Sequence, residues 1–327
     1  MRIGVLLPHT KLYGGVKRFL ELGNIFTNRG CEIIIFTEEG KHPTWFDFKG
    51  KVLTFESLKD ETLDALFFTE TEYLELALTS KSSRKIFYFI NPKENLKLLS
   101  KHADIEFFAN SSNLIETALK KFNIKAFPAF GGVNLKTYFY KNFEPRDSNS
   151  PFVVMAYGRM ARSVKGTKYV VQACRRLVNK GYNVELLLFD TPVNEKMVKK
   201  NSAFKTTVPY TFVQNHPVEQ NFELFHKSHV FVSAESKAGW SNTSAEAMAC
   251  GIPVIGTVAG TNNFLFHNQT GIIVTQNSRR IANAIEMLIN NEGLRLELAR
   301  NGRKKIEEFD WEKLADRILD NLAENSR

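Results

Sequence analysis

The sequence predicts an α/β protein made of two doubly wound domains, each a parallel sheet with helices on both faces. Three observations lead there. Short apolar runs rich in β-branched and aromatic residues alternate with amphipathic segments of helical period along the whole chain. The alternation breaks once, in a polar aperiodic stretch near residue 145, and then restarts with the same grammar. The length of 327 residues suits two cores, and 43% apolar with 24% charged residues is the composition of an ordinary globular protein. Strands that alternate with helices imply parallel pairing, because parallel neighbours need a crossover between them.

In order, residues 3–7, 33–37, 65–69, 86–90 and 105–109 read as strands of the first domain. Val16, Phe19, Leu20, Gly23 and Phe26 recur at helical spacing between the first two, and residues 92–102 and 113–122 also read as helices. Residues 140–150, YKNFEPRDSNS, hold a proline and have no period, so they form the predicted linker, with the boundary placed at 145/146. The second domain then reads strand 152–156, helix 167–179, strands 184–189 and 210–213, helix 218–226, strands 229–232 and 252–255, and a last short strand at 271–274. From Ser278 the chain reads as consecutive helices, broken near 291–293 and again at 309–310. In such folds ligands bind at the carboxyl ends of the strands, so the site is expected between the facing ends of the two sheets.

Bulk properties exclude several classes. No apolar run approaches a membrane span, and the run between Arg2 and Pro8 is too short for a secretory signal and lacks a cleavage site. Cys31, Cys174 and Cys250 are odd in number, far apart and in apolar surroundings, which points to a reducing, cytoplasmic setting rather than a disulfide framework. The net charge of +9 is spread over the chain, with 21 Lys/Arg against 18 Asp/Glu in residues 1–150 and 23 against 17 in the rest. No nucleic-acid motif or dense basic tract accompanies it, so nucleic acid is not an expected partner. Anionic substrates, or peripheral attachment to an anionic membrane surface, fit the charge better.

The most informative stretch is residues 229–257, HVFVSAESKAGWSNTSAEAMACGIPVIGT. Two apolar runs flank Gly239, Trp240, Ser241, Asn242, Thr243 and Ser244, which precede the strong helix formers 245–250. A strand, a loop of small polar residues and a helix N-terminus together offer unpaired N–H groups and a positive dipole end, a ready phosphate site. Glu246 is placed in the first turn. Its spacing from Thr243 also fits a capping box, so capping and ligand binding both remain open for it. Upstream, Gly158-Arg159-Met160-Ala161-Arg162-Ser163-Val164-Lys165-Gly166 joins a strand to a helix and carries cations able to converge on a diphosphate. The loop 8–16 contains Gly14 and Gly15, whose backbone can approach a ligand closely or take positive φ; it is not a dinucleotide fingerprint. None of the seven histidines has metal spacing, although His9 is near enough to this loop to meet an acceptor hydroxyl.

These motifs resemble the signatures of the family 4 glycosyltransferases. Gly239, Glu246, Ala247, Met248, Ala249, Cys250, Gly251, Pro253, Val254 and Ile255 match the pattern E-G-F-G-L-P-x-x-E-A-M-A-C-G-x-P-V-I. The loop 158–166 resembles G-R-x-x-x-x-K-G with one extra residue, which makes Arg162 a candidate substitute for one of the pair. Residues 256–263, with Gly260 and Thr261, resemble the family's second glycine loop, and 131–134 resemble its N-G-V-D turn. One departure is clear: Ala238 stands where the pattern has its first Glu, and Glu235, three residues earlier, is a candidate replacement.

The resemblance implies a GT-B fold, two Rossmann-like domains with a cleft between them. Residues 1–145, completed by the C-terminal helix 310–327 with Trp311 as packing anchor, would bind the acceptor; residues 146–309 would bind the donor. It implies transfer, with retention, from a UDP- or GDP-linked sugar to a hydroxyl of a glycan or lipid-linked glycan, as in polysaccharide biosynthesis. Arg159, Lys165 and the backbone of 239–244 would neutralise the departing diphosphate, Glu246 would hold the ribose hydroxyls, and Gly14, Gly15, Trp240, Gly260 and Thr261 would line the donor. No D-x-D occurs, and the cationic loop takes the place of a metal, so no metal or cofactor beyond the sugar nucleotide is expected. Two rivals share the architecture: a sugar-nucleotide epimerase, and a non-catalytic protein that binds nucleotide sugar or acts as a scaffold.

Overall fold

The computed structural model describes residues 1–142 and 149–324, and the chain divides into two compact units, Met1–Gly132 with Phe309–Arg327 and Val133–Glu308. The expected boundary at 145/146 lies further along, because 133–142 goes with the second unit: Tyr138 Oη donates to Val218 O at 3.0 Å, and Arg303 donates to Tyr138 O at 3.2 Å. Most of the expected linker, 143–148, is outside the described residues.

The first unit runs β1 (Arg2–Leu6), α1 (Gly14–Asn28), β2 (Glu32–Thr37), β3 (Lys51–Thr54), β4 (Thr62–Phe68), α2 (Leu74–Thr79), β5 (Lys81–Phe89), β6 (Ile105–Ala109), α3 (Ser112–Phe122) and β7 (Phe127–Pro128). Its sheet is parallel throughout, in the order β3-β2-β1-β4-β5-β6-β7. Central strands are covered on both faces and so are apolar without alternation. One face packs Phe19, Phe67, Tyr88 and Phe108 with α1; the other packs Phe36, Phe68, Phe87 and Phe89 with Leu114 and Ala118 of α3. The helix expected over 92–102 is absent except for a 3₁₀ turn at Leu99–Lys101. Asn91 and Asn95 accept from the backbone N–H of Lys93 and Lys97, local bonds that compete with helical ones. The strands β3 and β7 and the helix α2 were not apparent from periodicity, being short or at an edge.

The second unit continues with β8 (Phe152–Tyr157), α4 (Thr167–Asn179), β9 (Val184–Asp190), α5 (Glu195–Ser202), β10 (Tyr210–Gln214), α6 (Asn221–His226), β11 (Val230–Ser233), α7 (Asn242–Ala249), β12 (Val254–Gly256), β13 (Ile272–Ile273), α8 (Ser278–Asn290) and α9 (Glu292–Ile306). These strands form a second all-parallel sheet, β10-β9-β8-β11-β12-β13. Here α4 packs on α8, and α7 on α9. No helix among the described residues is long and apolar enough to cross a membrane.

The last helix, α10 (Trp311–Glu324), belongs to the first unit. Trp311 is 3% exposed and packs with Leu314, Ile318 and Leu322 against the α1 face. Nearby, Arg18 is buried, and among the described residues no carboxylate pairs with it. Its guanidinium donates to Tyr88 Oη at 3.0 Å and to Gly131 O, and stacks over the rings of Trp311 and Tyr88. Tyr88 Oη donates to Ala129 O, and Arg317 to Phe130 O, so three successive carbonyls of 129–131 are held by side chains. Burial pushes the Arg18 guanidinium down from its ordinary value.

Gly132 lies under the Trp311 ring, where an added Cβ would come within 1.9 Å of it. Overpacking of this kind costs about 1–3 kcal/mol. Gly132→Ala is expected to lower the melting temperature by several degrees in a thermal denaturation scan, and an unchanged value would show that Trp311 is not tightly seated.

Candidate functional site

At the carboxyl edge of the six-stranded sheet, three loops lie side by side: 158–166 after β8, 234–241 after β11 and 257–263 after β12. Backbone bonds tie them together. Ser236 N donates to Val164 O at 2.9 Å, and Ser241 N donates to Gly260 O at 2.9 Å. Two glycines allow the close approach. Gly166 has φ +69°, and a Cβ there would sit 2.0 Å from Ala234 O; Gly260 has φ +75°, with the Ala238 Cβ 2.8 Å away. Thr257 Oγ1 donates to Glu235 O, and Thr261 Oγ1 to Thr257 O, which closes the third loop.

The two cations expected to converge on a diphosphate are each paired with a carboxylate. Arg159 is 5% exposed; its Nε meets Asp190 Oδ1 at 3.0 Å and its Nη2 donates to Thr191 O at 2.9 Å. Asn201 Nδ2 donates to the other oxygen of Asp190. Lys165 Nζ meets Glu235 Oε1 at 2.8 Å. Between them the Tyr157 ring faces both, 5.0 Å from the Arg159 guanidinium carbon and 5.4 Å from Lys165 Nζ. Burial pushes the Tyr157 hydroxyl well above its usual range, against the charge of Arg159 and with a smaller push from Asp190. The expected Arg159–Lys165 clamp is therefore modified: Arg159 turns toward the end of β9, while Lys165, about a quarter exposed, stays at the edge. Arg162 is exposed on the same loop.

The helix α7 begins at Asn242 with Ser241 as N-cap, and Ser241 Oγ pairs with Ser244 Oγ at 2.9 Å. This corrects two expectations. Thr243 is inside the helix rather than capping it, and Glu246 lies beyond the first turn, which contains no acidic residue. The helix starts earlier than its best formers because Asn242, Thr243 and Ser244 already take helical backbone, so the Thr243–Glu246 capping box does not form. Glu246 is 6% exposed, and its charge, after burial, helps push the Cys250 thiol up.

Gly239 is buried on the same loop. Trp240 packs on Phe264, with ring centroids 4.9 Å apart, and Gly260 and Thr261 engage neighbouring backbone, so these three shape the loop. Beside it a cavity of about 660 Å³ opens, lined largely by apolar groups including Val258, Ile273 and Met287, with Glu235, Ser236 and Thr257 at one end. In the first unit, Gly14 and Gly15 open α1 in helical conformation, not at positive φ; a Cβ on Gly15 would meet Ile90 at 2.7 Å. The His9 ring packs at a tilt against Tyr13 in that loop, 4.9 Å between centroids, and burial followed by the Lys11 charge pushes its imidazole down. Asp190 and Tyr157 were missed from sequence: each is simply the last residue of an apolar strand run, and nothing in the linear pattern pairs them with residues 159 or 165.

Comparison with known proteins bears on the family and the fold. The family model for glycosyl transferases group 1 matches residues 140–305, just over half the chain. The capsular polysaccharide biosynthesis glycosyltransferase CapM of Staphylococcus aureus is 30% identical over 217 residues, 62% of this chain and 56% of that protein, so the match spans little more than half the relative's length. In structure, sucrose-phosphate synthase from Thermosynechococcus elongatus aligns at a TM-score of 0.82 with 17% identity, over 99% of this chain and 98% of that one. Anabaena HepE in complex with UDP-glucose aligns at 0.76 with 15% identity, over 99% and 100%. At such identities the likeness shows the fold, which is GT-B, and it is the matched family model that shows the chain to be a member of the group 1 glycosyl transferases.

Proposed function

We propose that this chain is a family 4 retaining enzyme that moves a glycosyl group from a UDP- or GDP-linked sugar to a hydroxyl of a glycan or lipid-linked glycan in polysaccharide assembly. The observation that carries the reading is the N-terminus of α7 set beside the Lys165 loop, joined through the Ser236–Val164 bond, with buried Glu246 on the same helix. As the bond from the anomeric carbon to the diphosphate breaks and a bond to the acceptor oxygen forms, negative charge builds on the leaving phosphate. Helix N–H groups and the Lys165 ammonium are suited to take that charge without a metal. The Glu235 carboxylate holds Lys165 at the edge until a diphosphate competes for it. Buried Arg159, tied to Asp190, acts through the Tyr157 ring as a positioning residue. Glu246 holds the ribose hydroxyls, and the first unit holds the acceptor. The capsular relative supports the polysaccharide setting, and the net charge of +9 suits a cytoplasmic protein resting on an anionic membrane surface. Ala238, in place of the signature's first Glu, favours as second reading a protein that binds the sugar nucleotide without transferring it.

Substitutions separate the roles of the cations. Lys165→Ala should lower kcat by about two orders of magnitude, as loss of an oxyanion stabiliser does, with a smaller change in donor KM. Arg162→Ala should be near neutral. Arg159→Ala leaves Asp190 buried and uncompensated, a loss of roughly 3–5 kcal/mol, so a lowered melting temperature should accompany any loss of rate. A full-rate Lys165→Ala enzyme would move the leaving-group site elsewhere.

With no capping box at Thr243, Glu246→Gln should keep the melting temperature within a few degrees and weaken nucleotide binding clearly in calorimetry. Unchanged affinity would remove Glu246 from the donor site.

Turnover should also persist in excess chelator. Complete loss, restored by added Mg²⁺ or Mn²⁺, would contradict the metal-free mechanism.

A further inference from the structure

The carboxyl edge of the seven-stranded sheet, in the first unit, carries a second polar cluster. Glu70 follows β4, Glu94 lies in the loop after β5, and their carboxyl groups hydrogen-bond to each other. Glu94 also accepts from Thr71 N at 3.3 Å, from Thr71 Oγ1 at 3.2 Å and from Asn91 Nδ2 at 3.2 Å. Burial first, then the charges of Glu94 and Glu72, push the Glu70 carboxyl up to about 7. The charges of Glu72, Glu70 and Glu38, after burial, likewise raise the neighbouring Tyr73 hydroxyl. A chain of net charge +9 thus gathers four carboxyl groups at one end of one sheet.

The same edge of the sheet holds buried polar atoms that no other described residue satisfies. The ladder pairs Leu6 with Phe68, Phe68 with Phe87, and Phe89 with Ala109. Past the last pair, Asn110 and Ser111 leave β6 beside the end of β5, from which the chain runs on to Asn91 and Glu94. Asn110 N donates to Phe89 O at 3.2 Å, which keeps the register. Asn110 is 4% exposed and Ser111 2%, yet Asn110 Oδ1 and Ser111 Oγ have no hydrogen-bond partner among the described residues, and neither has His9 Nδ1. Ser111 is the N-cap of α3, but its side chain makes no capping bond. Buried polar groups in folded proteins are paired as a rule, so an edge that leaves several unpaired suits a ligand that pairs them. Among the described residues no group of three or more His, Cys, Asp or Glu is arranged to hold a metal ion. An organic ligand rich in donors fits the carboxyl pair and Asn110 Oδ1, an ammonium better than a hydroxyl, and like charge disfavours a uronate or phosphate.

We propose that this edge is the acceptor site and that it selects an amino sugar, whose ammonium group lies on Glu70 and Glu94 and whose hydroxyls pair with Asn110 and Ser111. The inference rests on the glycosyltransferase reading, in which the first unit holds the acceptor, and it adds the chemical class and the residues that choose it.

The test measures binding of three probes to the full chain by saturation-transfer NMR: the methyl glycosides of glucosamine, glucose and glucuronic acid. UDP and GDP are titrated separately by calorimetry. The amine should bind at least tenfold more tightly than the neutral glycoside, with no saturation by the uronate. In Glu70→Gln/Glu94→Gln the preference for the amine should vanish while nucleotide affinity stays unchanged, and Ser111→Ala should weaken amine and neutral glycoside alike. Melting curves show whether the variants fold. Raising the Glu70 pKa in the folded state gives stability that is full below its unfolded value and lost as pH rises through about 7, so Glu70→Gln should gain more in melting temperature at pH 8 than at pH 5. Equal affinity for the three glycosides, or no saturation by any of them while nucleotide binds normally, overturns the proposal. Selective amine binding without binding of either nucleotide would uphold this site and count instead against the donor reading.

Discussion

Every strand pair in both sheets is parallel, and that constraint orders the rest of the molecule. Parallel neighbours cannot be joined by a tight hairpin; each connection crosses over a face and returns to start the next strand at the same end. All strands of a sheet therefore finish at one edge, and the loops leaving them are gathered there whatever their distance in sequence. Lys165 and Glu235 are 70 residues apart and meet because β8 and β11 are neighbours. Arg159 and Asp190 meet because β8 and β9 are neighbours. Once polar residues gather at such an edge, the problem is to satisfy them.

The molecule solves that problem in different ways for its buried cations. Arg159 has a carboxylate partner that is itself held by Asn201, a closed network in which removing one member strands another. Arg18 has none; carbonyl oxygen, a phenol and two aromatic faces accept it instead, and burial opposes its charge. The second arrangement fixes the carbonyls of 129–131 against α10, where the chain leaves and rejoins the first unit. The acids Glu70 and Glu94 are handled differently again: Glu94 accepts from Thr71 and Asn91, burial and neighbouring charge raise the Glu70 carboxyl, and at the same edge Asn110 Oδ1 and Ser111 Oγ have no partner among the described residues.

Small residues do the work of close approach. Gly166 lets the cationic loop touch Ala234 O, and Gly260 lets the third loop accept from Ser241; at either place a Cβ would collide with backbone. Ala238 lies against Gly260 in that packing, so the residue that departs from the family pattern occupies a crowded position. Glu235, three residues earlier, pairs with Lys165 and lines the adjoining cavity.

By itself the sequence determined the architecture: continuous apolar runs at strand length, and helical periods between them, allow little except two parallel α/β sheets, and strand 105–109 and helix 167–179 were legible to the residue. It also marked the candidate site of the second unit, because Gly239 through Ile255 is a local pattern in which each residue serves the same strand–loop–helix unit. What it could not determine are the features set by competition or by partners far along the chain. The start of α7 at Asn242 rather than after Thr243 came from three polar residues accepting helical backbone, a choice that propensity leaves nearly balanced. The loss of a helix at 92–102 followed from side-chain bonds at Asn91 and Asn95 that periodicity does not register. The turning of Arg159 to Asp190, and the gathering of Glu38, Glu70, Glu72 and Glu94, depend on strand order, and strand order is a property of the folded sheet, not of any segment read alone.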